Sequence, residues 1–267
     1  MFSSLSIRSV EFDTRLDRPA PIGLMASAVM RGVTGWLLAE QFPAVADRFF
    51  KPGQGGNQPS AFVTQLLRRT KDRRTISARF ITFDRDGELA DAFRAVLPLA
   101  AGRPFGAGMI RIASVHPAAV TLIQPSPCAE SPCFVYLLTP VLLAGPGGSW
   151  LGPETLTFPA LALGAARRVN TLSVCYGDGT LLDEADICRA AEKTHVISQN
   201  LCWLSLERHS TTQAKAIKLS GAAGGFAIGH MPSPLRSLFS LAMLAHVGKH
   251  AADGCGRVEF TTDRKVI

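Results

Sequence analysis

The chain has 267 residues, 47% of them hydrophobic and 18% charged, which is enough apolar material for one large core or two small ones and excludes a disordered protein. Its 28 Lys and Arg residues outnumber its 21 Asp and Glu residues, giving a formal net charge of +7. Such an excess is typical of proteins with a polyanionic partner, although an ordinary basic enzyme can share it.

Targeting segments and metal sites are not indicated. The first residues carry charges where a signal peptide needs an uninterrupted apolar stretch, and no apolar run is long enough to span a membrane. The six cysteines are scattered, and neither a second pair nor a histidine stands at zinc-ligand spacing from Cys128 and Cys133. We therefore expect a cytoplasmic protein with no membrane partner, no metal site and no cofactor.

The chain opens with a predicted strand and a predicted helix. Residues 5–12 alternate between apolar and polar, as in a half-buried strand, and residues 24–42 have apolar residues at helical spacing. An apolar stripe on that helix leaves Arg31 on the opposite face. The stripe comprises Val29, Val33, Trp36 and Leu37.

Residues 50–76 interrupt this pattern. A stretch rich in Gly, Gln and Pro is followed by the basic run QLLRRTKDRR. We predict an arginine-rich helical insertion at about residues 50–76, standing off the first domain, that could lie along the phosphates of an RNA; the run could equally be a solvated face. The RNA-binding candidates here are Arg68, Arg69, Lys71, Arg73, Arg74 and Arg79.

The rest of the chain repeats one order of elements. In the first half, a strand at 76–83, a helix at 86–100 and a strand or strand pair at 109–123 follow. In the second half, the predicted strands lie near 134–143, 196–207, 215–229 and 257–262, and the helices lie at 159–174, at 184–193 and from Ser233 onward. This order predicts an α+β fold of two tandem ferredoxin-like (RRM-like) domains, residues 1–125 and 133–267, separated by the Pro-rich residues 124–132.

The last helix and the loop that follows it carry further candidates. Ser233 suits the N-cap and Pro234 the first helical position, so Arg236 would join the positive end of the helix at a phosphate. In the loop GKHAADGCG, glycines would let amides approach a phosphodiester, although they would equally serve a tight helix-to-strand connection. The RNA-binding candidates of this half are Arg208, Lys215, Lys218, Arg236, Gly248, Gly254, Gly256 and Arg257.

Residues 224–260, GGFAIGHMPSPLRSLFSLAMLAHVGKHAADGCGRVEF, resemble the end of the Cas-six family, the CRISPR repeat-processing endoribonucleases of the RAMP superfamily. Residues 79–112 and 207–226 resemble the strand, helix and Gly-x-Gly turn of that family and its basic strand pair. The resemblance implies metal-independent cleavage of pre-crRNA by attack of a ribose 2′-hydroxyl on the adjacent phosphate. It also implies that the protein remains on the mature crRNA and joins other Cas subunits.

The catalytic candidates depart from the family pattern. In many relatives a histidine on the first helix acts as acid or base, but none of the six histidines here falls within residues 24–42. Arg31 is the first candidate instead, because a guanidinium can grip a phosphate and stabilise transition-state charge. His250 is the candidate for proton transfer. The full catalytic set is Arg31, Arg15, Arg18, Lys249 and His250.

Two readings therefore stay open for function. The missing helix histidine favours a non-catalytic crRNA-binding subunit of an effector complex, whereas the match to the processing enzymes favours a nuclease. Together with the arginine-rich run, the missing histidine also suggests the divergent type IV branch.

Overall fold

The first half of the chain forms one antiparallel sheet in a computed structural model that describes residues 5–20, 23, 26–49, 58–106, 109–125, 133–210 and 215–262, without the side chains of residues 69, 146, 208–210, 215 and 216. The strands are β1 (Arg8–Leu16), β2 (Phe62–Arg69), β3 (Thr75–Thr82), β4 (Ile112–Pro117) and β5 (Thr121–Leu122). The helices are α1 (Ala26–Gln41), α2 (Pro43–Phe49) and α3 (Glu88–Val96). The strand order β2-β3-β1-β4, with β5 beside β1, is that of a ferredoxin-like domain.

The second half repeats this arrangement. Its strands are β6 (Cys133–Val141), β7 (Val196–Ser210), β8 (Lys215–Ile228) and β9 (Val258–Thr261), and its helices are α4 (Phe158–Tyr176), α5 (Glu184–Glu192) and α6 (Ser233–Ala245). The sheet order is β7-β8-β6-β9. The predicted α+β fold of tandem ferredoxin-like domains is thus confirmed. The predicted boundary falls mostly on residues 126–132, which lie outside the described residues, so its position stays a prediction.

Each domain has an aromatic core between its sheet and its helices. In the first, the Phe80 ring stacks on Phe12 and Phe93, with centroids 5.1 Å and 4.1 Å apart. In the second, Phe158 lies 5.8 Å from Phe226 and 5.7 Å from Phe239. These rings come from strands and helices distant in sequence, and burying them holds the layers of each domain together.

The basic run is not a helical insertion, so that prediction was wrong. Residues 62–69 and 75–82 are β2 and β3, paired antiparallel from Phe62 opposite Thr82 to Arg69 opposite Ile76. The turn between them forms because the Asp72 carboxylate accepts a hydrogen bond from the Arg74 amide (3.0 Å). The start of the predicted insertion, residues 50–57, lies outside the described residues.

Helix α1 has a different buried face from the predicted stripe. Met30, Thr34, Leu37 and Leu38 are buried, whereas Trp36 is 50% exposed. Thr34 can be buried because its hydroxyl donates to the Met30 carbonyl (2.7 Å). Trp36 instead covers the Arg103 guanidinium, which lies 4.0 Å from the ring centroid.

Smaller predictions need correction as well. Helix α6 begins at Ser233 with Pro232 as its N-cap, one residue before the predicted cap. Among the described cysteines, Cys133 and Cys255 are buried, Cys188 is partly buried, and Cys175 and Cys202 are exposed. Within the described ranges, none of the helices combines the length and the hydropathy needed to cross a bilayer.

The second domain covers the β2 edge of the first sheet. The Thr64 hydroxyl donates to the Ala252 carbonyl (3.0 Å), and the Arg257 guanidinium donates to the Leu66 carbonyl (2.6 Å). The Arg168 side chain also crosses the interface and donates to the Ser60 carbonyl (3.2 Å). Because β2 makes these hydrogen bonds along its edge, the loop after α6 is held against the first domain.

Candidate functional site

The loop after α6 is anchored by its own backbone. The Val247 amide donates to the Gly256 carbonyl, and the Gly256 amide donates to the Pro140 carbonyl, both at 2.8 Å. Gly256 has φ +73°, and a Cβ there would lie 2.0 Å from the Val247 carbonyl oxygen. Only glycine permits this backbone conformation and close approach together.

Gly254 brings the loop against α1. It has φ +90°, and a Cβ there would lie 2.3 Å from the Ser27 hydroxyl. The Gly254 amide donates to the Ala251 carbonyl (3.0 Å), and the Gly256 amide is also used inside the protein. Close packing accounts for both glycines, and contact of Gly248, Gly254 and Gly256 with RNA stays a prediction.

Two catalytic candidates, Arg31 and His250, meet a buried carboxylate where α1 contacts this loop. Asp253 lies in the 3₁₀ turn Ala251–Asp253, and its carboxylate accepts a hydrogen bond from Arg31 Nη1 at 3.2 Å. His250 Nδ1 lies 3.6 Å from the other carboxylate oxygen. The Ser27 hydroxyl donates to the Asp253 carbonyl (2.9 Å). The two leading catalytic candidates, Arg31 and His250, therefore share one carboxylate across the domain interface.

Burial differs sharply within this cluster. The Asp253 side chain is 6% exposed, whereas the side chains of Arg31 and His250 are 28% and 36% exposed. A buried carboxylate needs a cationic or hydrogen-bonding partner, so Asp253 restrains the two side chains. The backbone of His250 has φ +62°, a left-handed conformation uncommon outside glycine and found in functional residues. The partly exposed guanidinium and imidazole of this cluster can thus contact a ligand that approaches from solvent.

A second histidine, His246, ties the same loop to the first domain. It is fully buried, and its Nδ1 lies 2.8 Å from the Cys255 carbonyl oxygen, so Nδ1 must carry the hydrogen. Its Nε2 then accepts from the Gln65 amide nitrogen at 2.9 Å, which also donates to the Met243 carbonyl. The Gln65 amide oxygen accepts from Arg79 Nε at 2.8 Å. Each donor in this series of hydrogen bonds has an acceptor only if the His246 ring is neutral.

The neutral state of His246 makes the fold sensitive to acid. Burial lowers the pKa of His246 to about 3, although its hydrogen bond to the Cys255 carbonyl works in the opposite direction. In the unfolded chain the His246 ring takes up a proton near pH 6.5. The free energy of unfolding is therefore at its full value above that pH and falls as the pH drops towards 3. Moving from about pH 7.5 to about pH 5 should cost about 2 kcal/mol of unfolding free energy.

Urea denaturation at the two pH values tests this expectation. His246→Gln is the matched variant, because it keeps a polar side chain that does not titrate. Its stability should change less between the two pH values than that of the wild type. An equal change in both proteins would contradict the assignment to His246.

The other catalytic candidates lie apart from this cluster. The Lys249 ammonium lies 4.6 Å from the centroid of the Trp150 ring, on the second domain. Arg18 is within 3.8 Å of the Asp17 carboxylate. Arg15 is exposed on β1 next to the β2–β3 turn. These contacts do not involve Arg31, and the catalytic role of Lys249, Arg18 and Arg15 stays a prediction.

The RNA-binding candidates fall into two environments. Arg79 and Arg257 are partly buried at the domain interface, and burial lowers the pKa of each guanidinium. Arg236 is half-buried in the first turn of α6. The exposed candidates are Arg68, Lys71, Arg73, Arg74 and Lys218. The side chains of Arg69, Arg208 and Lys215 lie outside the described part of the chain.

Sequence reasoning missed Asp253 and Gln65. Asp253 is the only acidic residue of the loop GKHAADGCG, which is a weak signal. Gln65 stands in a strand that was taken for an insertion, so nothing in the sequence pointed to its contact with His246. In the part of the chain that the structure describes, no group of three His, Cys, Asp or Glu side chains is placed to hold a metal ion.

Solved structures with the same fold were found by comparison. A Cas6 product complex matches with a TM-score of 0.65 and 18% identity, covering 96% of this chain and 100% of the other. Cas6 of Thermus thermophilus matches with a TM-score of 0.60 and 16% identity over 98% and 100% of the two chains. A chain of a partial Cas6-RT-Cas1–Cas2 complex matches at 0.63 and 11% identity, over all of this chain and 48% of that one.

The sequence itself gives no match at the family level. No protein-family model matches it, and no curated protein matches it. At these identities the structural likeness establishes the fold, so the chain has the fold of Cas6 proteins across nearly its whole length. The chemistry must be argued from its own residues.

Proposed function

We propose that this chain is a metal-independent endoribonuclease that binds CRISPR repeat hairpins and cleaves pre-crRNA to mature crRNA, to which it remains bound in the cytoplasm. The observation that carries the proposal is the Asp253 carboxylate, which holds Arg31 and His250 together where α1 of the first domain contacts the loop after α6. Support also comes from the Cas6 fold and from the net charge of +7.

The proposed reaction needs only a proton acceptor and charge stabilisation. The 2′-hydroxyl of one ribose attacks the adjacent phosphorus, and the bond to the 5′-oxygen of the next nucleotide breaks. The products are a 2′,3′-cyclic phosphate and a free 5′-hydroxyl. His250 takes the 2′-hydroxyl proton through Nε2, because Nδ1 faces Asp253, and the leaving oxygen gains a proton from solvent. Arg31 stabilises the charge of the phosphorane.

One observation favours the second candidate, a non-catalytic crRNA-binding subunit. Arg31 already donates to a buried carboxylate, and a guanidinium held in this way has fewer donors to offer a phosphate. In either case we propose other Cas subunits as partners, since solved neighbours include a Cas6-RT-Cas1–Cas2 complex. Membership of the type IV branch stays a prediction.

The deciding experiment uses two RNAs. The full chain is incubated in EDTA with its organism's repeat RNA and with the same RNA carrying a 2′-deoxy nucleotide at the scissile position. The proposal expects cleavage of the all-ribose RNA alone, leaving a cyclic phosphate. Tight binding of both RNAs without cleavage would favour the crRNA-binding subunit, and cleavage of the deoxy RNA would contradict the 2′-hydroxyl mechanism.

A further inference from the structure

One end of the first sheet gathers basic residues from three separate segments. Main-chain hydrogen bonds join these segments: the Asp17 amide donates to the Arg111 carbonyl (3.0 Å), and the Ala20 amide donates to the Arg73 carbonyl (3.1 Å). The end of β1, the β2–β3 turn and the residue before β4 therefore form one surface. We call it the arginine cap, and its basic members are Arg15, Arg18, Lys71, Arg73, Arg74 and Arg111, all exposed.

The cap has a net positive charge because its cations outnumber its carboxylates, both of which make contacts within it. Asp17 accepts from the Arg111 amide (3.0 Å) and lies 3.8 Å from Arg18. Asp72 accepts from the Thr70 hydroxyl and from the Arg74 amide inside the turn, and these hydrogen bonds lower its pKa. Six cations thus stand against two carboxylates, so the surface suits a polyanion.

Arg73 has a backbone conformation that a glycine would adopt more easily. Its φ is +56°, in the left-handed region that side chains with a Cβ disfavour. The turn would form at lower cost with glycine at this position. Strained residues of this kind are found at functional sites, and here the strained residue is a cation at the tip of the turn.

We propose that the arginine cap binds the phosphate backbone of the repeat RNA outside the scissile dinucleotide, without reading its bases. The inference rests on the proposed function. Among the described residues of the cap there is no exposed aromatic ring on which a base could stack. Contacts from arginines to phosphates fix the position of a strand but carry no sequence information.

The cap is close enough to the candidate site for one RNA strand to reach both. Ala20 is bonded to the β2–β3 turn, and α1, which carries Arg31, begins at Ala26. The six residues from Ala20 to Ala26 span at most about 21 Å, and the five helical residues from Ala26 to Arg31 add about 7.5 Å. A strand cleaved beside Arg31 can therefore continue onto the cap within several nucleotides.

Two charge-removal variants and a control test the cap. The first variant is Lys71→Gln/Arg73→Gly/Arg74→Gln in the turn, and the second is Arg18→Gln/Arg111→Gln on the neighbouring segments. The control, Arg85→Gln/Arg189→Gln/Lys193→Gln, removes three exposed charges away from the cap. The probe is repeat RNA with a 2′-deoxy nucleotide at the scissile position, so that binding is measured without cleavage at several salt concentrations.

The turn variant should bind at least about tenfold more weakly. The slope of its log K against log salt should be shallower by about 2, because each of the three lost phosphate contacts to a single strand contributes about 0.7. The second variant should also weaken binding, whereas the control should stay within about twofold of the wild type. The loss should be the same for RNA with altered flanking bases. Equal losses in the control, or none in the cap variants, would overturn the inference.

The outcomes separate this inference from the proposed function. If the wild-type chain cleaves repeat RNA while the cap variants bind it normally, only the proposal for the arginine cap is refuted. If the wild-type chain binds no repeat RNA, both the cap proposal and the proposed function are refuted. Arg73→Gly alone should weaken binding with an equal or higher Tm, and a lower Tm would contradict the argument from its backbone conformation.

Discussion

Arg31→Ala should lower the single-turnover cleavage rate of repeat RNA by about 10²- to 10³-fold, the usual effect of removing one charge-stabilising donor from an active site. The guanidinium is 28% exposed and lies beside His250 through their common partner Asp253. Its charge acts on the phosphorane, which carries more negative charge than the ground-state phosphate, so the rate should suffer more than binding.

The variant needs a correction for folding. It leaves the Asp253 carboxylate, 6% exposed, without the guanidinium, which should cost about 1–3 kcal/mol of stability. Rates are therefore measured well below the Tm of each protein, with Arg94→Ala on α3 as a control that removes another exposed arginine. Arg31→Lys should recover only part of the rate, because it lacks the planar fork. A folded Arg31→Ala protein that cleaves at the wild-type rate would exclude the assigned role.

His250→Asn should lower the cleavage rate by about 10²- to 10⁴-fold, because it removes the group that accepts the proton. Asparagine is the suitable replacement, since it tolerates the φ of +62° better than alanine and should leave the loop intact. Binding of the 2′-deoxy repeat RNA should stay close to that of the wild type, because the imidazole acts on the reacting hydroxyl and not on the rest of the strand.

The matched control for this variant is His230→Asn, which changes an exposed histidine outside the cluster. Its cleavage rate should stay close to that of the wild type. If a folded His250→Asn protein cleaved at the wild-type rate, another group would have to accept the proton.

The repeated order of elements could be predicted from sequence because each domain shows it through local spacing. The strand at residues 76–83 and the helix at residues 86–100 have clear apolar periods, and β3 and α3 are found there. Strand β2 was missed because its C-terminal half is rich in arginine, which resembles an exposed helix. Its apolar and β-branched start, Phe62 to Thr64, was the better guide.

The candidate site was predicted only in part, for a reason of distance along the chain. Arg31 and His250 were both expected, but the residue that joins them is 222 positions from Arg31. A single loop acid carries no periodic signal, and only the docking of two domains brings it against α1. Arg15 and Arg18 were also expected in catalysis; Arg15 lies opposite Thr75 at the start of β3, Arg18 lies 3.8 Å from the Asp17 carboxylate, and their catalytic role stays a prediction.

In the proposed reaction, the docking of the second domain along β2 makes reactivity a property of the two domains together. One copy of the repeated fold supplies the guanidinium, and the other supplies the carboxylate and the imidazole. Each separated half would keep its aromatic core but would lack the complete set of reacting groups. Thr64 and Gln65 have no role in the proposed reaction itself. Substitutions there would nevertheless lower the cleavage rate, as the loss of a reacting group does, because they would weaken the contact between the two domains.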